Sequence, residues 1–195
     1  TLFPYTTLFR SGGAVSRAGA QVGDLVFVTG TIGDGLLGLQ AAQAKLKLDA
    51  ERLARLIDHY RTPMPRLDFA DVVRNLATAA ADVSDGLAAD LNHIAKASGV
   101  GIALNLSVLP LSAAAQAWFE DRVDPQAALE DLATGGDDYQ IVFTAHPRHE
   151  ETLRREAERR LLRLTRIGAV TAGEGVAVDY GGRRIELARR GWTHG

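Results

Sequence analysis

Asp82-Val83-Ser84-Asp85-Gly86-Leu87 puts two carboxylates and a hydroxyl within one short turn, at the point where an amphipathic helix pattern begins. Hard oxygen donors of this kind suit Mg²⁺, which keeps several waters and is commonly shared with substrate phosphates. A helix N-terminus adds unpaired N–H groups that attract anions. The plainer alternative is local: Ser84 and Asp85 cap the helix, and Gly86 makes the turn.

A second corner favours the chemical reading. Ala133-Thr-Gly-Gly-Asp-Asp-Tyr139 carries two glycines, then two carboxylates, ahead of an apolar run. Gly135 and Gly136 would let backbone approach a ligand closely. The alternative there is a simple connecting turn with a solvated acidic pair. A third Gly-rich turn, Thr29-Gly-Thr-Ile-Gly-Asp34, also ends in a carboxylate. Three such corners suggest one shared cleft for metal and phosphate. Arg17 stands alone ahead of the first strand, either as a solvated surface residue or as a contact to a nucleotide phosphate. His93 is expected to be exposed, opposite the Leu87/Leu91 face. His59, His146, His149 and His194 share no metal-ligand spacing. There is no Walker A motif and no kinase Gly-loop with a partner Lys.

The elements that must position these residues are set by apolar periodicity. Residues 24–29 form a short β-rich run between Gly23 and Gly30, a buried strand. A helix starts near Gly35, and a second spans about 49–61 with Leu53, Leu56, Ile57 and Tyr60 on one face. Pro63 and Pro65 break it. A helix over about 68–79 leads into the Asp82 motif as a short strand or turn. Leu87, Leu91 and Ile94 then share a helix face ending near Gly99. Strands are expected over 100–106, 138–144, 164–170 and 176–185, with helices over 126–133 and 149–162. Strands and helices interleave without strict alternation, so the expected class is α+β, an α/β sandwich: a mixed β-sheet with helices packed on it.

The chain has 195 residues, 46% hydrophobic and 24% charged, with a formal net charge of −2 and no cysteine. That balance argues against a nucleic-acid footprint. It excludes disulfides and thiolate chemistry. No apolar run approaches the roughly 20 residues that span a bilayer, so no membrane partner is expected. No signal peptide is evident, and the expected location is cytoplasmic. Residues 1–11 differ in character from the rest of the chain and read as a foreign segment, the alternative being an edge strand.

Taken together, these segments resemble the C-terminal part of the thiamine-monophosphate kinase family, within the aminoimidazole-ribotide-synthetase-like superfamily. The likeness runs from about Gly13 to His194. It rests on Arg17–Asp24, Val28–Asp34, Pro63–Arg66, Asp82–Leu87, Gly135–Tyr139 and Gly191–His194, in that order. The resemblance implies ATP-dependent phosphorylation of thiamine monophosphate to thiamine diphosphate. It also implies Mg²⁺ at Asp82 and Asp85, ATP contacts from Ser84 and Arg17, and substrate contacts from Asp137 and Trp192. A homodimer is implied for the full-length protein. Indole stacking on a cationic or pyrimidine ring is a sensible use of Trp192.

Two departures qualify the likeness. The family usually shows Glu after the Gly-Gly pair, where this chain has the shorter Asp137. The family's N-terminal domain, which supplies further Mg²⁺ and ATP ligands, has no counterpart here. Residues 12–195 are therefore read as a C-terminal domain, and the chain alone is expected to be inactive. An uncovered apolar strip near Val26–Ile32 would then be expected. The competing readings are a non-catalytic nucleotide- and Mg²⁺-binding module, or another ATP-using synthetase of the superfamily.

Overall fold

The Leu25–Thr29 strand, β1, is buried along its whole length, and its alternation feeds two separate cores. Val26 and Val28 point to one side, Leu25 and Phe27 to the other. A strand with both faces covered must be central. The computed structural model describes residues 14–187. Residues 1–11 and the Gly191–His194 segment with Trp192 lie outside them.

The remaining elements, in chain order, are α1 (Asp34–Ala42), α2 (Ala50–Arg61), α3 (Ala70–Leu76), β2 (Ala77–Asp82), α4 (Leu87–Ser98) and β3 (Gly101–Asn105). They continue as α5 (Ala113–Glu120), α6 (Pro125–Thr134), β4 (Ile141–Ala145), α7 (Glu150–Arg159), β5 (Leu164–Thr171), β6 (Gly175–Tyr180) and β7 (Arg183–Ile185). The seven strands form one mixed sheet in the order β2-β4-β1-β5-β3-β6-β7. Its pairs are antiparallel except β3 with β6. The α+β expectation holds.

One face of the sheet carries α1, α2, α4, α5 and α6 over Val26, Val28, Leu91 and Trp118. The other carries α3 and α7 over Phe27, Phe69 and Phe143. Phe27 and Phe143 stand opposite each other in the β1–β4 register and stack with centroids 5.6 Å apart. Burying each such ring contributes about 1.5–3 kcal/mol. Val26, Phe27, Val28 and Ile32 are all at most 1% exposed. The expected uncovered strip is absent, because the chain's own helices cover it. Among the described residues no helix is long and apolar enough to cross a membrane.

Several boundaries differ from the sequence reading. The helix over 68–79 ends at Leu76, and Ala77–Asp82 pairs with β4 as a strand. Alanine favours helix, but the ladder to β4 overrides that preference. The strand over 138–144 begins only at Ile141. The span over 176–185 is a hairpin, β6 and β7, turned at Gly181 and Gly182, both at positive φ. Helix α5, capped by the Ser112 hydroxyl on the Ala115 N–H at 3.0 Å, is an addition to the sequence-based order.

Candidate functional site

Strand β2 ends the sheet on one side and delivers Asp82 to its end, exposed. The segment before β1 runs beside it: the Ala80 N–H donates to the Ser16 carbonyl at 3.0 Å. The Ser98 hydroxyl, at the end of α4, fixes that segment by accepting from the N–H groups of Gly19 and Ala20 and donating to the Arg17 carbonyl. This placement brings the Arg17 guanidinium to 3.9 Å from Asp82. Both side chains are about half exposed, so the pair adds little to stability and stays open to a ligand.

After β2 the chain turns through Ser84, Asp85 and Gly86 into α4. The turn is built by Asp90, in the first turn of α4, whose Oδ2 accepts from the N–H groups of Ser84 and Asp85 at 3.0 and 3.1 Å. Asp90 is fully buried, and its Oδ1 has no hydrogen-bond partner. Burial pushes this carboxyl up to about 6, against the pull of the two N–H bonds, with Asp82 and Asp85 adding to the rise.

The Gly135–Tyr139 corner docks onto that turn. The Asp137 N–H donates to the Ser84 carbonyl at 3.0 Å, and the Tyr139 N–H to the Val83 carbonyl at 2.8 Å. A Cβ on Gly136 would meet the Ser84 carbonyl at 2.4 Å, and one on Gly86 the Thr134 carbonyl at 2.7 Å. Glycine is required at both positions for the backbones to approach so closely. Asp137 and Tyr139 both adopt positive φ, 67° and 50°. The Tyr139 hydroxyl donates to Asp137 Oδ1 at 3.2 Å. Partial burial and the neighbouring Asp137 carboxylate hold the Tyr139 phenol above its ordinary range.

Between those two residues Asp138 turns inward. It accepts from the Gly33 N–H at 2.9–3.0 Å and the Gly35 N–H at 2.9 Å, capping α1, whose own N-cap Gly33 has no side chain to do so. Burial pushes its carboxyl up to about 8 despite those bonds. A Cβ on Gly35 would in turn meet the Asp137 and Gly136 carbonyls at 2.5 Å. The three acidic corners do meet, as expected.

They do not contribute alike. Both oxygens of Asp34 are taken at 2.6 Å by the hydroxyls of Thr31 and Ser112, and the side chain is buried. Asp34 and Asp138 are structural. Arg17, Asp82, Ser84, Asp85, Asp137 and Tyr139 reach solvent at the junction. Asp82 and Asp85 supply all-oxygen donors at an accessible corner, which fits the hard-ligand preference of Mg²⁺. Trp192 lies outside the described residues. Sequence reasoning misses the supports Asp90, Asp138 and Gln140. Gln140 Oε1 accepts from Arg66 Nε at 2.9 Å and ties the Pro63–Arg66 loop to the rim. It also misses that Asp85, Asp90 and His93 bring donor atoms within 4.8 Å of one another. The Asp90-x-x-His93 spacing on one helix face is the available signal.

The sequence matches the family "AIR synthase related protein, C-terminal domain" over residues 21–181. A thiamine-monophosphate kinase of Caulobacter vibrioides is 44% identical over 184 residues, covering 94% of this chain and 51% of the relative. The crystal structure of thiamine-monophosphate kinase from Stenotrophomonas maltophilia superposes with TM-score 0.78 at 36% identity, over 88% of this chain and 54% of that one. AaThiL complexed with AMPPCP and TMP superposes with TM-score 0.73, again at 36% identity, over 92% and 54%. The chain spans about half the length of the curated relatives it matches.

Proposed function

The chain belongs to the AIR synthase related protein family, as its C-terminal domain, and from that premise we propose that it forms part of a kinase making thiamine diphosphate from thiamine monophosphate and ATP. The observation that carries this reading is the junction itself. The Ser84–Asp137 backbone bond joins an Arg- and Asp-bearing corner to a second acidic corner across one turn. A relative of the same fold is described with an ATP analogue and TMP bound. Phosphotransfer is proposed for the full-length protein. In keeping with the half-length span, the chain alone is proposed to bind without turnover.

In this reading Asp82 and Asp85 hold Mg²⁺, which neutralises phosphate charge when bound. Arg17 contacts an ATP phosphate from beside Asp82, and Ser84 offers its hydroxyl to the nucleotide. Asp137 faces the thiamine substrate, with Trp192 as its aromatic partner. The acceptor is already an anionic phosphate oxygen, so no general base is needed. It attacks the γ-phosphorus in line as the bond to the ADP oxygen breaks. The residues' work is to hold two anions close, which positioning and fixed opposite charge achieve. A cytoplasmic homodimer goes with the same proposal.

The test is calorimetric titration of the chain with AMPPCP, with and without Mg²⁺. Mg²⁺-dependent binding that is lost in Asp82→Asn supports the reading. Binding that ignores both Mg²⁺ and the substitution overturns it.

A further inference from the structure

A buried carboxylate oxygen with no partner costs free energy unless something satisfies it, and Asp90 Oδ1 is such an atom. Its sister oxygen is committed to the Ser84 and Asp85 N–H groups, which locks the carboxylate in place. Asp90 and His93 are three residues apart on α4, hence neighbours on one helix face. Asp85 belongs to the turn that Asp90 itself fixes. One donor atom from each of the three lies within 4.8 Å of the others. Three ligands of one ion at bond lengths of about 2.0–2.2 Å stand roughly 3–4 Å apart, so the cluster needs to close by at most about 1–2 Å.

We propose that Asp85, Asp90 and His93 form a seat for a divalent transition-metal ion at the start of α4, separate from the Asp82 side of the corner. Two carboxylates and an imidazole are the donor set of Zn²⁺, Co²⁺ or Mn²⁺ rather than of Mg²⁺, which takes oxygen ligands and keeps its waters. The inward member, Asp90, is preorganised. His93 is exposed and Asp85 half-buried, so the ion enters from solvent and retains open positions. An ion here places positive charge beside Asp90, a buried carboxylate with one unpartnered oxygen whose charged form Asp82 and Asp85 both disfavour. The seat shares Asp85 with the function proposed above but does not depend on it.

Co²⁺ is the probe, because imidazole and carboxylate ligation gives it a visible d–d absorption. The full chain is titrated with Co²⁺ in excess Mg²⁺, alongside His93→Gln, Asp90→Asn and Asp82→Asn. One equivalent is expected to bind the unaltered chain. His93→Gln should weaken binding by at least about tenfold, the loss that even an outer-shell change commonly brings. His93 is exposed, so this variant folds; Asp90→Asn should match it wherever its far-ultraviolet circular dichroism is native. Asp82→Asn removes a nearby charge but no ligand of the seat, so it should lose clearly less Co²⁺ affinity than His93→Gln, whether or not it binds nucleotide. Absence of stoichiometric Co²⁺ binding, or equal affinity in His93→Gln, overturns the seat. So does a loss in Asp82→Asn as large as that in His93→Gln, which would mean one shared oxygen-ligand position.

Discussion

Asp137 donates its backbone N–H to the carbonyl of Ser84 at 3.0 Å, so two acidic turns far apart in sequence are held as one unit. The bond needs Gly136 beside it, because a side chain there would lie 2.4 Å from the same Ser84 oxygen.

Gly136→Ala should therefore force the corners apart. The obstructing atom is backbone and cannot swing aside, so a cost of about 1–3 kcal/mol is expected, as for other overpacked sites. Gly99→Ala is the comparison: its φ of +66° brings strain, but nothing lies within 4 Å of the new Cβ. Urea unfolding should show both variants destabilised. Only Gly136→Ala should also weaken AMPPCP binding, and equal binding losses would contradict the coupling.

The cap that Asp138 places on α1 carries a pH signature. Its folded carboxyl titrates near 8, against 3.8 for an ordinary aspartate. The folded state therefore holds a proton that the unfolded chain releases. The associated stability is fully present below about pH 4 and is lost as pH climbs through about 8. Asp138→Asn cannot titrate, so the unaltered chain should lose stability relative to this variant as pH rises from about 5 to about 8. Urea midpoints for both proteins at several pH values measure the difference. A gap that stays constant or grows in the opposite direction would show that the N–H bonds, not burial, dominate.

How much of this is legible in sequence depends on separation along the chain. Asp82, Ser84 and Asp85 are adjacent, and their chemistry can be read in place. Asp34 looks equivalent, but its oxygens are consumed partly by Ser112, 78 residues away, which no local pattern reveals. Asp138 reads as the start of a strand until it turns inward to α1, which forces Asp137 and Tyr139 to left-handed φ on either side. Ala77–Ala79 reads as the end of a helix because alanine prefers it, and only pairing with β4 makes it strand. His93 reads as merely exposed: its i, i+3 spacing from Asp90 is legible, but nothing local shows that the turn before the helix brings Asp85 to the same side.

Arg17 separates stability from binding. Its 3.9 Å approach to Asp82 is exposed, and pairs of that kind contribute about 0–1 kcal/mol. Arg17→Ala should leave the urea midpoint nearly unchanged. If Arg17 meets a nucleotide phosphate, AMPPCP affinity should fall by roughly tenfold, equivalent to about 1.4 kcal/mol. Unaltered affinity would return Arg17 to the status of a surface residue that screens Asp82.

Asp137 is the sharpest probe of the substrate side. Its φ of 67° is a conformation that Asp and Asn tolerate far better than longer side chains. Asp137→Asn keeps that backbone, and the Tyr139 hydroxyl can still donate to the amide oxygen as it does to Oδ1 now. The fold should be preserved to within about 0.5 kcal/mol, as for substitutions that break no buried contact. The tyrosine offers an internal check. Burial is the larger cause of its raised phenol and survives the change, whereas the Asp137 charge is removed. Its titration, followed by NMR of labelled tyrosine, should move partway back toward the ordinary range. Thiamine monophosphate binding, if Asp137 contacts that substrate, should fall while AMPPCP binding holds. Parallel loss of both ligands would place Asp137 with the corner's architecture instead of with the substrate.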